Sequence, residues 1–328
     1  MTEENNTTAI VYDLYTAHNS LKKGDLEFTK TDLVDGEVIP NVEISIYTEK
    51  DELVFNGKTD SNGKIVIKDL YIGKYYLIEK NPATGYILND EKIFFEIKNN
   101  EIVKAHMTNK KITSTLKLTK ENEDKEKLVG VVFGIYDLEG NLLSSHVTNE
   151  EGIIEVELEY GSYYYQEMAT LEGYVLSDEK QYFDVTVDGM VIHNTIVNEK
   201  ITSILKIYKT DENSKPLANV VIGIYDLEGN LLSSHTTNEE GIIEVELEYG
   251  SYYYQEISTL ESYILSTEKE YFDVTSDGEI IEKILINELE EIEVPNTLAE
   301  TYVTVVSAIL IVGGSLMIII YNLKRKRD

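Results

Sequence analysis

Residues 134–167 and 223–256 spell the same 34-residue string, GIYDLEGNLLSSHxTNEEGIIEVELEYGSYYYQE, apart from Val147 against Thr236. Self-similarity at a spacing of about 89 residues means that one folding unit is used more than once. The stretch 24–110 keeps the same order more loosely, with ISIYTEKDELVFNGKTDSNGKIVIKDL, then GKYYLIEK, then a turn at Gly85-Tyr86. We place three domains at 24–111, 112–200 and 201–289. An unassigned leader (1–23) precedes them, and a spacer (290–301), an apolar segment (302–323) and a basic tail (324–328) follow.

Within a repeat the signals are those of β structure. Short β-branched or aromatic runs alternate with turn pairs such as Asn62-Gly63, Glu151-Gly152 and Asp188-Gly189. Ile153–Glu159 reads IIEVELE, a period-2 strand with Ile154, Val156 and Leu158 on one face. No segment before Leu298 sustains a helical period. The expected class is all-β: three tandem sandwiches of about seven short strands each, followed by one C-terminal transmembrane helix.

Alternation also tells which way a side chain points. In the first strand of each repeat, Leu26-Phe28-Lys30, Leu116-Leu118-Lys120 and Leu205-Ile207-Lys209 share a face. In a middle strand, Tyr75-Leu77-Glu79, Tyr163-Tyr165-Glu167 and Tyr252-Tyr254-Glu256 do so, and in the last strand Met107-Asn109, Ile196-Asn198 and Leu285-Asn287. Each repeat therefore aims one amine, one carboxyl and one carboxamide into an apolar core.

Ionisable groups in such a place are costly unless paired or consumed. Desolvation favours a neutral amine and a neutral carboxyl. A neutral amine can attack the asparagine side-chain carbonyl while the glutamate donates to that carbonyl and shuttles the proton that leaves with ammonia. The product is a Lys–Asn isopeptide bond, formed once and without a cofactor. For a single trio the alternative is a buried Lys–Glu ion pair with the asparagine capping a strand. Three trios in one order favour the crosslinks Lys30–Asn109, Lys120–Asn198 and Lys209–Asn287, with Glu79, Glu167 and Glu256 as single-turnover catalysts.

The formal charge is −31, and both arginines, Arg325 and Arg327, lie in the last four residues. Without 295–328 the chain keeps 25 Lys against 58 Asp and Glu, a net of −33. Such a surface repels nucleic acid and anionic lipid. With 42% hydrophobic residues and 24 tyrosines there is still material for a core. Cysteine is absent, which excludes disulfides, thiolate metal sites and cysteine nucleophiles.

Tyr302–Leu323 reads YVTVVSAILIVGGSLMIIIYNL, 22 residues without a charge. As a helix it would span about 33 Å, enough for a hydrocarbon layer. Lys324-Arg325-Lys326-Arg327 follows, which places that end in the cytoplasm and the rest outside. Residues 1–20 are polar and lack a secretory pattern. The expectation is either a piece of a longer protein, whose head would precede residue 24, or a chain whose true start lies elsewhere.

The strings FTKTD (28–32), LIEKNPATGY (77–86) and TNK (108–110) resemble the collagen-adhesin B-type, SpaA-like prealbumin domain found in Gram-positive surface proteins and pilins. The later repeats join through LTKEN (118–122), YQEMATLEGY (165–174), VNEK (197–200) and YKTDENSKPLANV (208–220), so the resemblance covers about 265 residues. It implies a transthyretin-like sandwich, with Lys on the first strand bonded to Asn on the last and Glu as catalyst. The proline after the glutamate survives only as Pro82, and Ser262-Tyr263 replaces the Gly-Tyr turn in the third domain.

Val294-Pro295-Asn296-Thr297-Leu298, ahead of the apolar segment, resembles a sortase sorting signal of the LPXTG type, with Val in place of Leu and Leu298 where Gly is usual. That resemblance implies cleavage after Thr297 and transfer to peptidoglycan. The resulting expectation is a non-enzymatic, wall-anchored stalk at the bacterial surface, single-pass before sorting, with sortase and peptidoglycan as partners and no cofactor. The alternatives are domains that themselves bind host or extracellular-matrix proteins, or a minor pilin subunit. The Tyr-Pro-Lys motif of a pilus shaft is missing.

The five histidines, His18, His106, His146, His193 and His235, show no metal-ligand spacing, and Asp211-Glu212-Asn213 lacks the glycine and final glutamate of a calcium loop. Asp137 and Glu139 read as turn residues. Tyr164 and Tyr253 read as outward cross-strand pairs on a half-exposed sheet.

Overall fold

The computed structural model describes residues 21–290. Residues 1–20, the 294–298 motif and the 302–323 segment lie outside the described residues. Among the described residues there is no helix, and hence none long and apolar enough to cross a membrane.

The chain divides into two compact units, Met1–Glu199 and Lys200–Asp328. In the first unit the leading sandwich has seven strands: β1 (Lys23–Asp32), β2 (Glu43–Thr48), β3 (Leu53–Lys58), β4 (Lys64–Tyr71), β5 (Gly73–Asn81), β6 (Ile93–Ile97) and β7 (Ile102–Asn109). They form a three-stranded sheet in the order β4-β1-β7 and a four-stranded sheet in the order β3-β2-β5-β6. The next sandwich repeats this with β8 (Thr113–Asn122), β9 (Val132–Asp137), β10 (Leu142–Val147), β11 (Ile153–Glu159), β12 (Gly161–Ala169), β13 (Gln181–Val185) and β14 (Met190–Asn198). The second unit holds β15 (Thr202–Asp211), β16 (Val221–Asp226), β17 (Leu231–Thr236), β18 (Ile242–Glu248), β19 (Gly250–Ser258), β20 (Glu270–Val274) and β21 (Ile280–Asn287), with the same two sheet orders.

Strict alternation drives the packing. β1 alternates half-buried and buried positions over its whole length, so Leu26, Phe28 and Lys30 sit on the core face with no exposed surface. The facing sheet contributes Ile44, Ile46 and Leu77 to the same core, and the other two cores are built alike around Leu118 with Phe133 and around Ile207 with Ile222.

The first and last strands of each sandwich pair in parallel, which the period-2 pattern did not disclose. The chain thus enters at one end of the sheet and leaves at the opposite end. The register sets Asp32 beside Asn109, Asn122 beside Asn198 and Asp211 beside Asn287. Each lysine lies two residues earlier on its strand, an offset of about 6–7 Å that an extended lysine side chain can cover.

One expectation is corrected. Tyr164 and Tyr253 do face away from the main core, yet each is only 4% exposed. A ladder of cross-strand rings buries them. Tyr164 stacks on Tyr136 at 4.8 Å and tilts against Tyr182 at 5.3 Å, with the Lys180 ammonium 4.6 Å from its centroid. Tyr225, Tyr253, Tyr271 and Lys269 repeat that ladder, as do Tyr47, Tyr76, Phe94 and Lys92. The outer face of the four-stranded sheet therefore carries its own apolar layer.

Candidate functional site

Each site is assembled from both sheets. The lysine and the asparagine come from adjacent parallel strands of the three-stranded sheet, and the glutamate comes from the middle of the facing one. The backbone around the lysine is held by a turn glycine: the Lys30, Lys120 and Lys209 amides donate to the carbonyls of Gly63, Gly152 and Gly241 at 2.8, 2.7 and 2.7 Å. Those glycines have φ between +67° and +74°, and a Cβ on any of them would lie 2.5–2.6 Å from the lysine carbonyl oxygen. Only glycine fits there.

Lys30, Lys120 and Lys209 have no exposed surface, and Glu79, Glu167, Glu256, Asn109, Asn198 and Asn287 are all buried. In the first domain Lys30 Nζ donates to Glu79 Oε2 at 3.2 Å and to the Thr108 carbonyl at 3.3 Å, and Asn109 Nδ2 donates to Glu79 Oε1 at 2.7 Å. In the second, Lys120 Nζ donates to Asn198 Oδ1 at 2.5 Å, and Asn198 Nδ2 donates to Glu167 Oε1 at 2.7 Å. In the third, Lys209 Nζ donates to the Leu285 carbonyl at 3.1 Å, and Asn287 Nδ2 donates to Glu256 Oε1 at 2.8 Å.

Hydrogen bonds join all three members of the first and second trios. In the third, Asn287 bonds Glu256, whereas Lys209, on the neighbouring strand, donates to backbone carbonyls and feels Glu256 only through its charge. One detail differs from expectation. The glutamate contacts the carboxamide nitrogen rather than its oxygen, so it stands beside the group that would leave. Asn109 Oδ1 and Asn287 Oδ1 are buried without a hydrogen-bond partner, as is Glu167 Oε2. Unpartnered buried polar oxygens are uncommon.

Burial strips water from the amines and pushes their pKa down. Lys120 and Lys209 fall to about 8, with Glu167 and Glu256 opposing the drop. Lys30 is lowered by the same desolvation, opposed by the charge and hydrogen bond of Glu79. About a tenth of the second and third amines is thus neutral and nucleophilic at pH 7. Beside Glu167 lies a cleft of about 260 Å³, lined by Ser177, Gln181 and Asn194 among others.

Two further contacts were not legible in the strand alternation. Thr170 Oγ1 and Thr259 Oγ1 accept from Asn198 Nδ2 and Asn287 Nδ2 at 2.7 and 2.6 Å. Their signal was a threonine three residues after the glutamate in the second and third repeats, with Pro82 at that place in the first.

The other candidates have structural partners. His106 and His193 meet Thr31 and Thr119, while His146 and His235 meet Ser144 and Ser233. Asp137 Oδ1 accepts the Asn141 amide in a turn, and Asp211 Oδ1 accepts those of Asn213 and Lys215. Among the described residues no three or more histidine, aspartate or glutamate side chains cluster so as to hold a metal ion.

Comparison with known proteins gives the same architecture. Serine-aspartate repeat-containing protein F of Staphylococcus epidermidis is 26% identical over 260 residues, covering 65% of this chain and 16% of that protein. The solved structure of the Bacillus anthracis TIE protein matches with a TM-score of 0.73 at 29% identity, over 81% of this chain and 51% of that one. The chain thus spans about half of that structure and a much smaller share of the staphylococcal protein. BcpA, the major pilin subunit of Bacillus cereus, shares the fold with a TM-score of 0.51 at 16% identity, over 82% of this chain and 100% of that one. The SpaA prealbumin-like fold model matches residues 24–111, 114–200 and 203–289, and the chain belongs to that family, carrying three of its domains in tandem.

Proposed function

We infer that this chain is a load-bearing stalk at a bacterial cell surface, each domain stapled by its own Lys–Asn isopeptide bond. The observation that carries the reading is the recurrence, in all three cores, of a buried lysine on the strand next to that of a buried asparagine, with a glutamate on the carboxamide nitrogen. The lysine nitrogen bonds to the asparagine Cγ, the Cγ–Nδ2 bond breaks, and one amine proton passes by way of the glutamate to the departing nitrogen. Ammonia leaves, and the amide that remains carries no charge, so the cost of a buried lysine disappears.

The strand order turns this bond into a mechanical device. Lys30 is two residues from the end of β1 and Asn109 is the last residue of the parallel β7. A pull that enters β1 and leaves β7 crosses the staple, and the loop between them, 78 residues in sequence separation for Lys120 to Asn198, bears no load. Such domains in series resist extension.

The sorting-type motif 294–298, the apolar segment 302–323 and the basic tail support anchoring through a sortase to peptidoglycan, after a stage as a single-pass membrane protein with its C-terminus inside. The relatives are named as a serine-aspartate repeat-containing protein and a major pilin subunit, in keeping with a non-enzymatic, structural role.

Single-molecule stretching of residues 21–290 tests the reading. The chain should lengthen without domain-sized unfolding steps, and such steps should appear one per domain in Glu79→Ala, Glu167→Ala and Glu256→Ala. Three domain-sized steps in the parental chain would overturn it.

A further inference from the structure

The three sites are not equivalent, and the difference lies on the nitrogen that departs. In the second and third domains Asn198 Nδ2 and Asn287 Nδ2 each donate to two acceptors, a glutamate Oε1 and the hydroxyl of Thr170 or Thr259. In the first domain Asn109 Nδ2 donates to Glu79 Oε1, and the position three residues after the glutamate is Pro82, whose side chain has no acceptor.

We propose that Thr170 and Thr259 act on the leaving group of the crosslinking reaction, making the second and third staples form faster than the first. The inference rests on the crosslink reading above and adds a catalytic contact to it. In the second domain Asn198, with both N–H bonds taken, turns Oδ1 to accept from Lys120 Nζ. In the third, Asn287 Oδ1 has no partner and Lys209 Nζ donates to the Thr210 and Leu285 carbonyls, so what the two domains share is the threonine contact on the departing nitrogen. When the lysine nitrogen bonds to Cγ, Nδ2 receives the proton carried by the glutamate and gains positive charge. A hydrogen bond from a charged donor is roughly twice as strong as one from a neutral donor. The threonine oxygen therefore holds the transition state more tightly than the starting amide, which is the condition for acceleration.

The first domain lacks this contact and has a competing one. Lys30 Nζ is bonded to Glu79 Oε2, so the carboxylate that should carry the proton away also favours keeping it on the amine. Both differences slow the same domain.

The test follows each staple separately in the full chain. Cell-free synthesis is chased, quenched in acid denaturant and digested, and the three crosslinked peptides are quantified by mass spectrometry. The parental chain should close Lys30–Asn109 last. Thr170→Val should slow Lys120–Asn198 about five- to tenfold, the loss expected for one hydrogen bond, while Lys209–Asn287 in the same molecule keeps its rate. The Val variant should still reach the parental final mass, which shows that the domain folds, and Thr170→Ser should restore most of the rate. Thr259→Val should give the mirror-image result.

A Thr170→Val chain closing at the parental rate, or a Thr170→Ser chain as slow as the Val variant, would overturn the proposal while leaving the crosslinks in place. A parental chain in which no domain loses ammonia would overturn the crosslink reading itself, and this inference with it.

Discussion

Lys120 shows what burial does to an amine even with the Glu167 charge opposing it. It donates to Asn198 Oδ1 and to the Ile196 carbonyl, neither of them a charge, and its pKa falls to about 8 from an ordinary 10.5. Lys209 falls equally far. The reactive form is the neutral amine, so closure of the second and third staples should speed up about tenfold per pH unit below 8 and level off above it, read as crosslinked peptide against time. The same shift governs stability where closure is blocked. Between pH 8 and 10.5 the unfolded chain holds a proton that the folded chain has lost, so stability rises with pH across that window and the full penalty is felt below 8. In Glu167→Ala the charge that opposes the drop is gone and the amine falls further, so urea denaturation should show the second domain gaining stability from below pH 8 up to 10.5, on the order of 3 kcal/mol or more. The parental domain, whose amine has been consumed, should lack that gain.

The turns and strands that hold the site make their own predictions. Gly152 has φ +68° and approaches the Lys120 carbonyl where a Cβ would lie 2.6 Å away. Gly152→Ala should cost the second domain about 2–3 kcal/mol in denaturation, from left-handed backbone strain and the clash together. In the third domain Ser262 occupies φ +80°, where Gly85 and Gly173 stand at +88° and +86° in the first two. Ser262→Gly should therefore stabilise that domain by about 1 kcal/mol, seen as a higher urea midpoint at unchanged slope.

At this scale the sequence was legible wherever period-2 alternation met a single core. The inward Leu26-Phe28-Lys30 and Leu77-Glu79 faces follow from parity alone. The parallel pairing of β1 with β7 did not, because alternation reports facing and not partners. The burial of Tyr164 did not either, because its cover comes from Tyr136 and Lys180 on separate segments. Thr170 went unread for a third reason: it lies just beyond β12, where alternation stops, and its role appears only once the amide nitrogen is placed.

At the scale of the whole molecule, three sandwiches with no disulfide available carry three opportunities for a covalent staple. Closing a loop of about 80 residues is worth on the order of 4 kcal/mol per domain by analogy with a disulfide. A chain carrying Glu79→Ala, Glu167→Ala and Glu256→Ala should accordingly melt at a lower temperature than the parent and be cut sooner by trypsin under partial denaturation. The domain count was readable from the near-identical 34-residue strings, and the first domain was harder to read because its trio survives in a diverged frame. Intact-mass spectrometry of residues 21–290 under denaturing conditions asks the central question directly. The account predicts a mass below that of the sequence by three ammonias, reduced to two by any one of the three glutamate-to-alanine changes. A mass equal to that of the sequence would contradict it.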